Sequence, residues 1–163
     1  MRRFLPLLAA LWLSCSDLVH NGIPADTDLV PFDSLDGLFG GSRIASQWNG
    51  GQARLVLRDQ AAWAEVYTQA TGNPDAQTIS FTDRAVFFAA TGAKQSTGHD
   101  ITIDEVRKDR EGRLYIVVRE IRPGTGCGLQ ATPTSPVTAI RTINVYTVVV
   151  YIERPEVDPC TVS

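Results

Sequence analysis

Residues that commonly do chemistry are scarce in this chain, which holds two histidines, three cysteines and one methionine among 163 residues. A zinc site wants three or four His, Cys or carboxylate ligands at set spacings, and no stretch supplies them. No G-x-S-x-G elbow, P-loop or dinucleotide fingerprint occurs, so hydrolase, nucleotidase and NAD-dependent chemistry all lack their usual signatures. Asp104, Glu105, Glu111 and Glu120 lie in and beside one hairpin pattern. Paired-carboxylate catalysis would need two of them to face one cleft, and solvated strand faces and turns explain them more simply. A cation excess is missing too: 15 Lys and Arg stand against 18 Asp and Glu, for a net charge of -3. Without clustered cations to displace phosphate counterions, nucleic acid is not an expected partner. The apolar run from Ile143 to Ile152 is too short and too polar for a membrane helix, which takes about 20 residues. The expectation is a chain with no catalytic residues, no metal, no cofactor and no evident small-molecule substrate.

What is present begins with "MRRFLPLLAALWLSCSD". Arg2 and Arg3 precede an apolar stretch from Phe4 to Leu13, the pattern of a secretory signal, assigned to residues 1–14. Leu13-Ser14-Cys15 resembles the close of a bacterial lipobox, in which cleavage leaves a cysteine that takes the lipid. Trp12 departs from the aliphatic residue usual there, and ordinary cleavage nearby is the alternative. In either case the chain is expected to be exported. With Cys15 lipidated, each buried CH2 of the acyl chains adds about 0.8 kcal/mol of membrane affinity. The expected location is the cell envelope, membrane-anchored by the N-terminal lipid, at the outer membrane in an organism that has one.

Cys127 and Cys160 then remain as an even pair in an oxidising compartment, and a disulfide between them is expected. It would pin the tail at residues 154–163, "RPEVDPCTVS", which Pro155 and Pro159 are expected to keep out of the last strand.

Residues 15–51 read as a flexible acidic tether, with five aspartates ahead of the first cation, Arg43. "DTD" and "DSLDG" lack the alternating ligands and distal Glu of a calcium loop. The folded unit is placed at residues 52–153. "ARLVLR" (53–58) reads as a strand. Asp59 is a candidate N-cap for "QAAWAEVYTQA", where Trp63, Val66, Tyr67 and Ala70 recur at helical spacing, and Gly72 suits the stop. "RAVFFAA" (84–90) is apolar on both faces, as a central strand would be. "HDITIDEV" (99–106) and "RLYIVVREI" (113–121) flank a turn at "DREG" (109–112), and "VTAIRTINV" (137–145) with "YTVVVYIE" (146–153) supply a last pair. The fold class expected is mainly β with one helix (α+β): a small β-sandwich or partly open barrel, the helix on one face or end.

Two loops stand out. In "GAKQSTGHD" (92–100), Gly92 and Gly98 allow positive φ, Ser96 and Thr97 offer hydroxyls, and His99 offers a donor or acceptor. In "RPGTGCG" (122–128), Pro123-Gly124 suits a type II turn, and Gly126 and Gly128 would let the backbone pass close to another surface. Each loop reads either as a tight connection or as a recognition element on a rigid scaffold. Ser96, Thr97, Gly98, His99, Pro123, Gly124 and Gly126 are the candidate partner-binding residues.

The same loops carry a family resemblance. "REIRPGTGCGLQATPTSPVTAI" (119–140) resembles a P-G-x-G-C segment of the PrcB C-terminal domain family. Gly92, Ser96, Gly98, His99 and Ile101 fall where members of that family show G-x-x-P-T-G-G-Y-x-I. Gln95, Thr97 and His99 depart from the Pro, Gly and Tyr of that pattern, and Val137 stands where an aromatic is common. The Trp early in the helix and the "TG" after it also agree, so the resemblance extends over residues 52–153. It implies an exported bacterial module without catalytic function; some members are accessory subunits that stabilise a surface protease. The function so implied is a membrane-anchored envelope lipoprotein whose β-rich domain binds or stabilises a protein partner, with an exported protease as one candidate. The alternative is a loop-based protease inhibitor: "STGH" (96–99) resembles the T-T-G-[YF] loop of chagasin-like proteins, although their Arg-Pro-Trp loop is missing. A third reading would set His99 beside a carboxylate in an enzyme.

Overall fold

Phe87 and Phe88 are neighbours on one strand, so their side chains point to opposite faces, yet both are fully buried. That strand needs a layer on each side, and the architecture follows from the requirement. The structure, a computed structural model, describes residues 19–20, 22–40, 47–144 and 146–160. The secretory signal and Cys15 lie outside the described residues.

The elements run β1 (Val19–His20), β2 (Ile23–Pro24), β3 (Asp28–Leu29), β4 (Asp33–Ser34), a 3-10 turn (Asp36–Phe39), β5 (Ala53–Leu57) and α1 (Gln60–Thr71). Then come β6 (Arg84–Ala90), β7 (Asp100–Lys108), β8 (Arg113–Pro123), β9 (Val137–Ile143) and β10 (Val148–Asp158). One sheet has the order β10-β8-β7-β3 and the other β4-β9-β6-β5, while β1 and β2 form a small ribbon. The two four-stranded sheets make a sandwich. Ala85, Phe87 and Ala89 of β6 meet Ile101, Ile103, Leu114 and Ile116 of the facing sheet in its core.

The other face of β6 belongs to the helix. Val86, Phe88 and Ala90 pack with Trp63, Val66 and Ala70 in a second core. The Asp59 carboxylate accepts the Ala62 N–H at 2.8 Å and so caps the helix start. Gly72, at φ 73°, closes the last turn by donating to Thr68 O. Trp63 is fully buried, and its indole N–H is satisfied by Gln77 O at 3.0 Å. The mainly β class with one helix therefore holds, as a sandwich with the helix on one outer face.

Three expectations change. The described part of the tether is packed into the domain. β3 pairs with Arg107 and Lys108 of β7, β4 pairs with Ile140 and Arg141 of β9, and Val30, Leu35 and Trp48 are buried. Asp36 is no solvated spacer residue, for its Oδ1 accepts Thr138 Oγ1 at 2.8 Å and Ala139 N at 3.1 Å. Two-residue pairings leave no periodic trace in a sequence, so the acidic composition was the only visible signal.

The final two strands are also no pair. β9 lies beside β6, whereas β10 crosses to the other sheet and runs parallel to β8. Finally, β10 continues through Pro155 to Asp158. Gly124 N donates to Asp158 O at 2.9 Å, one residue beyond Pro123, the partner of Asp158 in register. In a parallel ladder this sets alternate residues toward β8, namely 148, 150, 152, 154, 156 and 158. Pro155 falls in the other set, so its missing N–H lies on the free edge, where a strand tolerates proline.

Candidate functional site

Both loops singled out from the sequence come together at one end of the sandwich. Lys94 and Thr134 exchange backbone N–H···O bonds at 2.8 and 3.0 Å. Thr97 N donates to Gln130 O, and Gln130 N donates to Thr97 Oγ1, both at 3.1 Å. Thr134 Oγ1 donates to Ser96 O at 3.0 Å. The first loop is thus zipped to the segment that follows the second. Gly98 sits at the contact, at φ 88°, where a Cβ would stand 2.8 Å from Leu129 Cδ2 and 3.1 Å from Pro123 Cβ. The torsion there favours glycine, and a Cβ would also require the exposed Leu129 side chain to turn aside and Pro123 to give slightly.

A third segment joins them. The Cys127–Cys160 disulfide, with Cα atoms 5.3 Å apart, ties the chain end to the second loop. Asp158 O takes the Gly124 N–H, and Asp158 Oδ1 accepts Cys160 N at 2.9 Å. The expected cross-link is therefore part of this surface, and the Cys127 sulfur is committed to it. Gly98, His99, Asp100, Ile121 and Asp158 line a cleft of about 170 Å³ beside these loops. Leu129 and Val157, exposed by 42% and 63%, flank the same region.

The second loop turns differently from expectation. Gly124 is not among the residues with positive φ, so Pro123-Gly124 forms no type II turn. Cys127 N donates to Gly124 O at 3.3 Å, which centres the turn on Thr125 and Gly126. Gly126 and Gly128 face open space, whereas a Cβ on Gly124 would lie 2.8 Å from Asp158 O. Gly124 is the glycine that allows the close approach.

The charges here are arranged around Glu120. It is 6% exposed, accepts Lys94 Nζ at 2.9 Å, and has Arg122 Nε at 3.6 Å. His99 is half-buried, and its Nδ1 is enclosed with no hydrogen-bond partner. Burial, and then the nearby Lys94 and Arg122, hold its pKa below the ordinary 6.5 against the opposing pull of Glu120. The shift favours the neutral imidazole. Among the described residues no carboxylate is hydrogen-bonded to the ring, so none of them forms the charge relay that the enzyme reading requires.

Sequence reasoning missed Leu129, Gln130, Thr134, Val157 and Asp158. Nothing local marks them, since each acts by meeting a segment distant in the chain. Among the candidates, Ser96, Thr97, Gly98, His99, Pro123 and Gly124 are brought together, while a side chain at Gly126 would point into open space.

The class these features define is a β-sandwich module with one helix, bearing a cross-linked loop surface. Residues 85–142 match the family described as PrcB C-terminal. The matched segment begins and ends on residues that are partners across β6 and β9, Ala85 and Thr142. It encloses β6 to β9 and both loops, and for that segment the family resemblance read from the loops is shown. No curated protein and no solved structure matches the chain.

Proposed function

We propose that this protein is a non-catalytic, membrane-anchored envelope lipoprotein whose β-rich domain binds or stabilises a protein partner, an exported protease being the candidate class. The supporting observation is the convergence of both loops, within the family-matched segment, on one rigid and partly apolar surface. Its backbone is held by loop-to-loop hydrogen bonds and the disulfide, so binding there would cost little ordering entropy. Leu129 and Val157 supply exposed apolar contact area, and Arg122 an exposed cation. The inhibitor reading has less support. Thr97 and Ser96, which would form the tip of an inserting loop, are engaged with Gln130 and Thr134.

The test is a crosslinked pull-down of the tagged full chain from gently solubilised native membranes, with mass spectrometry of the eluate. A stoichiometric envelope partner, lost when Leu129→Asp and Val157→Asp are combined in a chain that still folds, is the expected result. An eluate identical to the untagged control would overturn the reading. Metabolic labelling with a fatty acid tests the anchor separately, and Cys15→Ser should abolish the label.

A further inference from the structure

The strand β10 is eleven residues long, lies at the edge of its sheet, and pairs only with β8. Its even-numbered residues turn their backbone groups toward β8, as the Gly124 to Asp158 bond fixes. Val149, Tyr151 and Glu153 therefore turn three N–H and three C=O groups out of the sheet, with no partner among the described residues. Natural edges are usually blunted. Here the blunting is partial. Pro155 removes the donor from the C-terminal half. The neighbouring edge strand β5 is covered by side chains, with Leu55 O accepting Tyr151 Oη at 2.8 Å and Ala53 O accepting Arg54 at 2.7 Å. The run Val148 to Ile152 has neither a proline nor a charge, a composition that favours strand pairing.

We propose that this open stretch of β10 pairs with the same stretch of a second copy of the chain, antiparallel and centred on Tyr151. The outward groups at 149, 151 and 153 are symmetric about that residue. A two-fold axis there sets Tyr151 opposite Tyr151 and Val149 opposite Glu153, and all three positions use both outward groups. Pro155 then falls opposite Thr147, beyond the start of the strand, so it limits the pairing without obstructing it. Arg54 keeps Glu153 neutralised through two contacts of 2.7 Å, so the approach of a second Glu153 meets little repulsion. The contact is a single strand pair, well below the roughly 1,200 Å² of a stable specific interface, so the dimer is weak and concentration-dependent. This self-association is independent of the partner-binding reading and stands or falls without it.

The register supplies a sharp test. Val148 is half exposed and comes opposite Arg154 of the second copy on the same face. Sedimentation equilibrium would be run on the full exported chain carrying Cys15→Ser, so that lipid does not drive clustering. The unsubstituted strand is expected to dimerise reversibly. Val148→Lys adds a like charge beside Arg154, which Glu105 holds at 3.1 Å. It should weaken the dimer roughly two- to thirty-fold over its two symmetric pairs, toward the lower end because of that pairing, while Val148→Glu should tighten it comparably. Thermal unfolding of each variant checks that the fold is kept. A monomer at every concentration up to about 1 mM, the weak end of measurable affinity, overturns the proposal. So does a shift of both variants in the same direction.

Discussion

Replacing Cys127 and Cys160 together with serine removes the covalent tie between the second loop and the end of β10 and leaves the noncovalent ties in place. The cross-link spans a sequence separation of 33. In the chain-entropy account, freeing an unfolded loop of that length is worth about 3.7 kcal/mol at 25 °C. The folded state should change little. β10 remains in register with β8 over eleven residue pairs, and Gly124 still donates to Asp158 O. Native strain subtracts from the entropic figure, so the expected loss is about 2–4 kcal/mol, or about 6–12 °C in Tm for a domain of this size. The measurement is guanidinium unfolding with and without reductant, alongside the double serine variant. The reduced protein and the variant should coincide at a lower midpoint, with a steeper dependence on denaturant because their unfolded chains expand further. An unchanged midpoint on reduction would refute the reasoning. Alkylation of two free thiols in the unfolded, unreduced protein would refute its premise.

Gly98→Ala should cost about 1–3 kcal/mol, chiefly because its φ of 88° is strained for a residue with a Cβ, with a smaller part from displacing Leu129; urea unfolding reads the loss, and an unchanged midpoint would mean that the loops are not held as described. Acidification should destabilise the domain in two stages. His99 has a folded pKa below 6.5, so its contribution is complete above that value and declines as the unfolded chain takes up the proton at lower pH. Glu105, held below its ordinary 4.5 first by the Arg107 hydrogen bond, adds a decline below that pH. Asp109 behaves likewise below 3.8: burial pushes its carboxyl up, but hydrogen bonds from Arg113 N–H, its guanidinium and Tyr115 prevail. Stability should be level from pH 8 to about 7 and fall as the pH is lowered from there to 3, and histidine NMR should give His99 an apparent pKa under 6.5. A rise in stability between pH 7 and 5 would contradict these signs.

The elements legible in the sequence were those whose stabilisation is local or follows a simple period. Asp59, Gly72 and the Trp63-Val66-Ala70 stripe marked the helix because caps and a 3.6-residue repeat act within the segment itself. "RAVFFAA" marked an interior strand because burial on both faces removes alternation. Pairing partners were another matter. "YTVVVYIE" is a strand by any pattern, yet nothing in it says whether β9 or β8 is its neighbour, and adjacency in sequence favours the wrong one. The site was legible in part for the same reason. Gly98, Pro123 and Cys127 are conspicuous residue types, whereas Gln130 and Thr134 matter only through contacts with the other loop. Thr97 shows how a departure from the family pattern is absorbed, for its hydroxyl takes the Gln130 N–H that a glycine there would leave without this acceptor.

The limits of the family match are not the limits of the folding unit. Residues 85–142 alone would expose Val86, Phe88 and Ala90, which the helix residues Trp63, Val66 and Ala70 cover. They would also leave β8 as a bare edge, although its inward residues Leu114, Ile116 and Val118 are among the most buried of the molecule. β10 covers that edge, and Val149 and Tyr151 extend the sandwich core beneath it. In the helix-side core the flanking elements supply six of the eleven buried residues, whereas in the sandwich core ten of the eleven belong to the matched strands and the flanks add Val30 and partly buried residues such as Val149 and Tyr151. The matched segment therefore presents the loops, while the flanking strands and helix supply the rigidity that fixes them, and any loss of function on trimming the flanks would act through stability first.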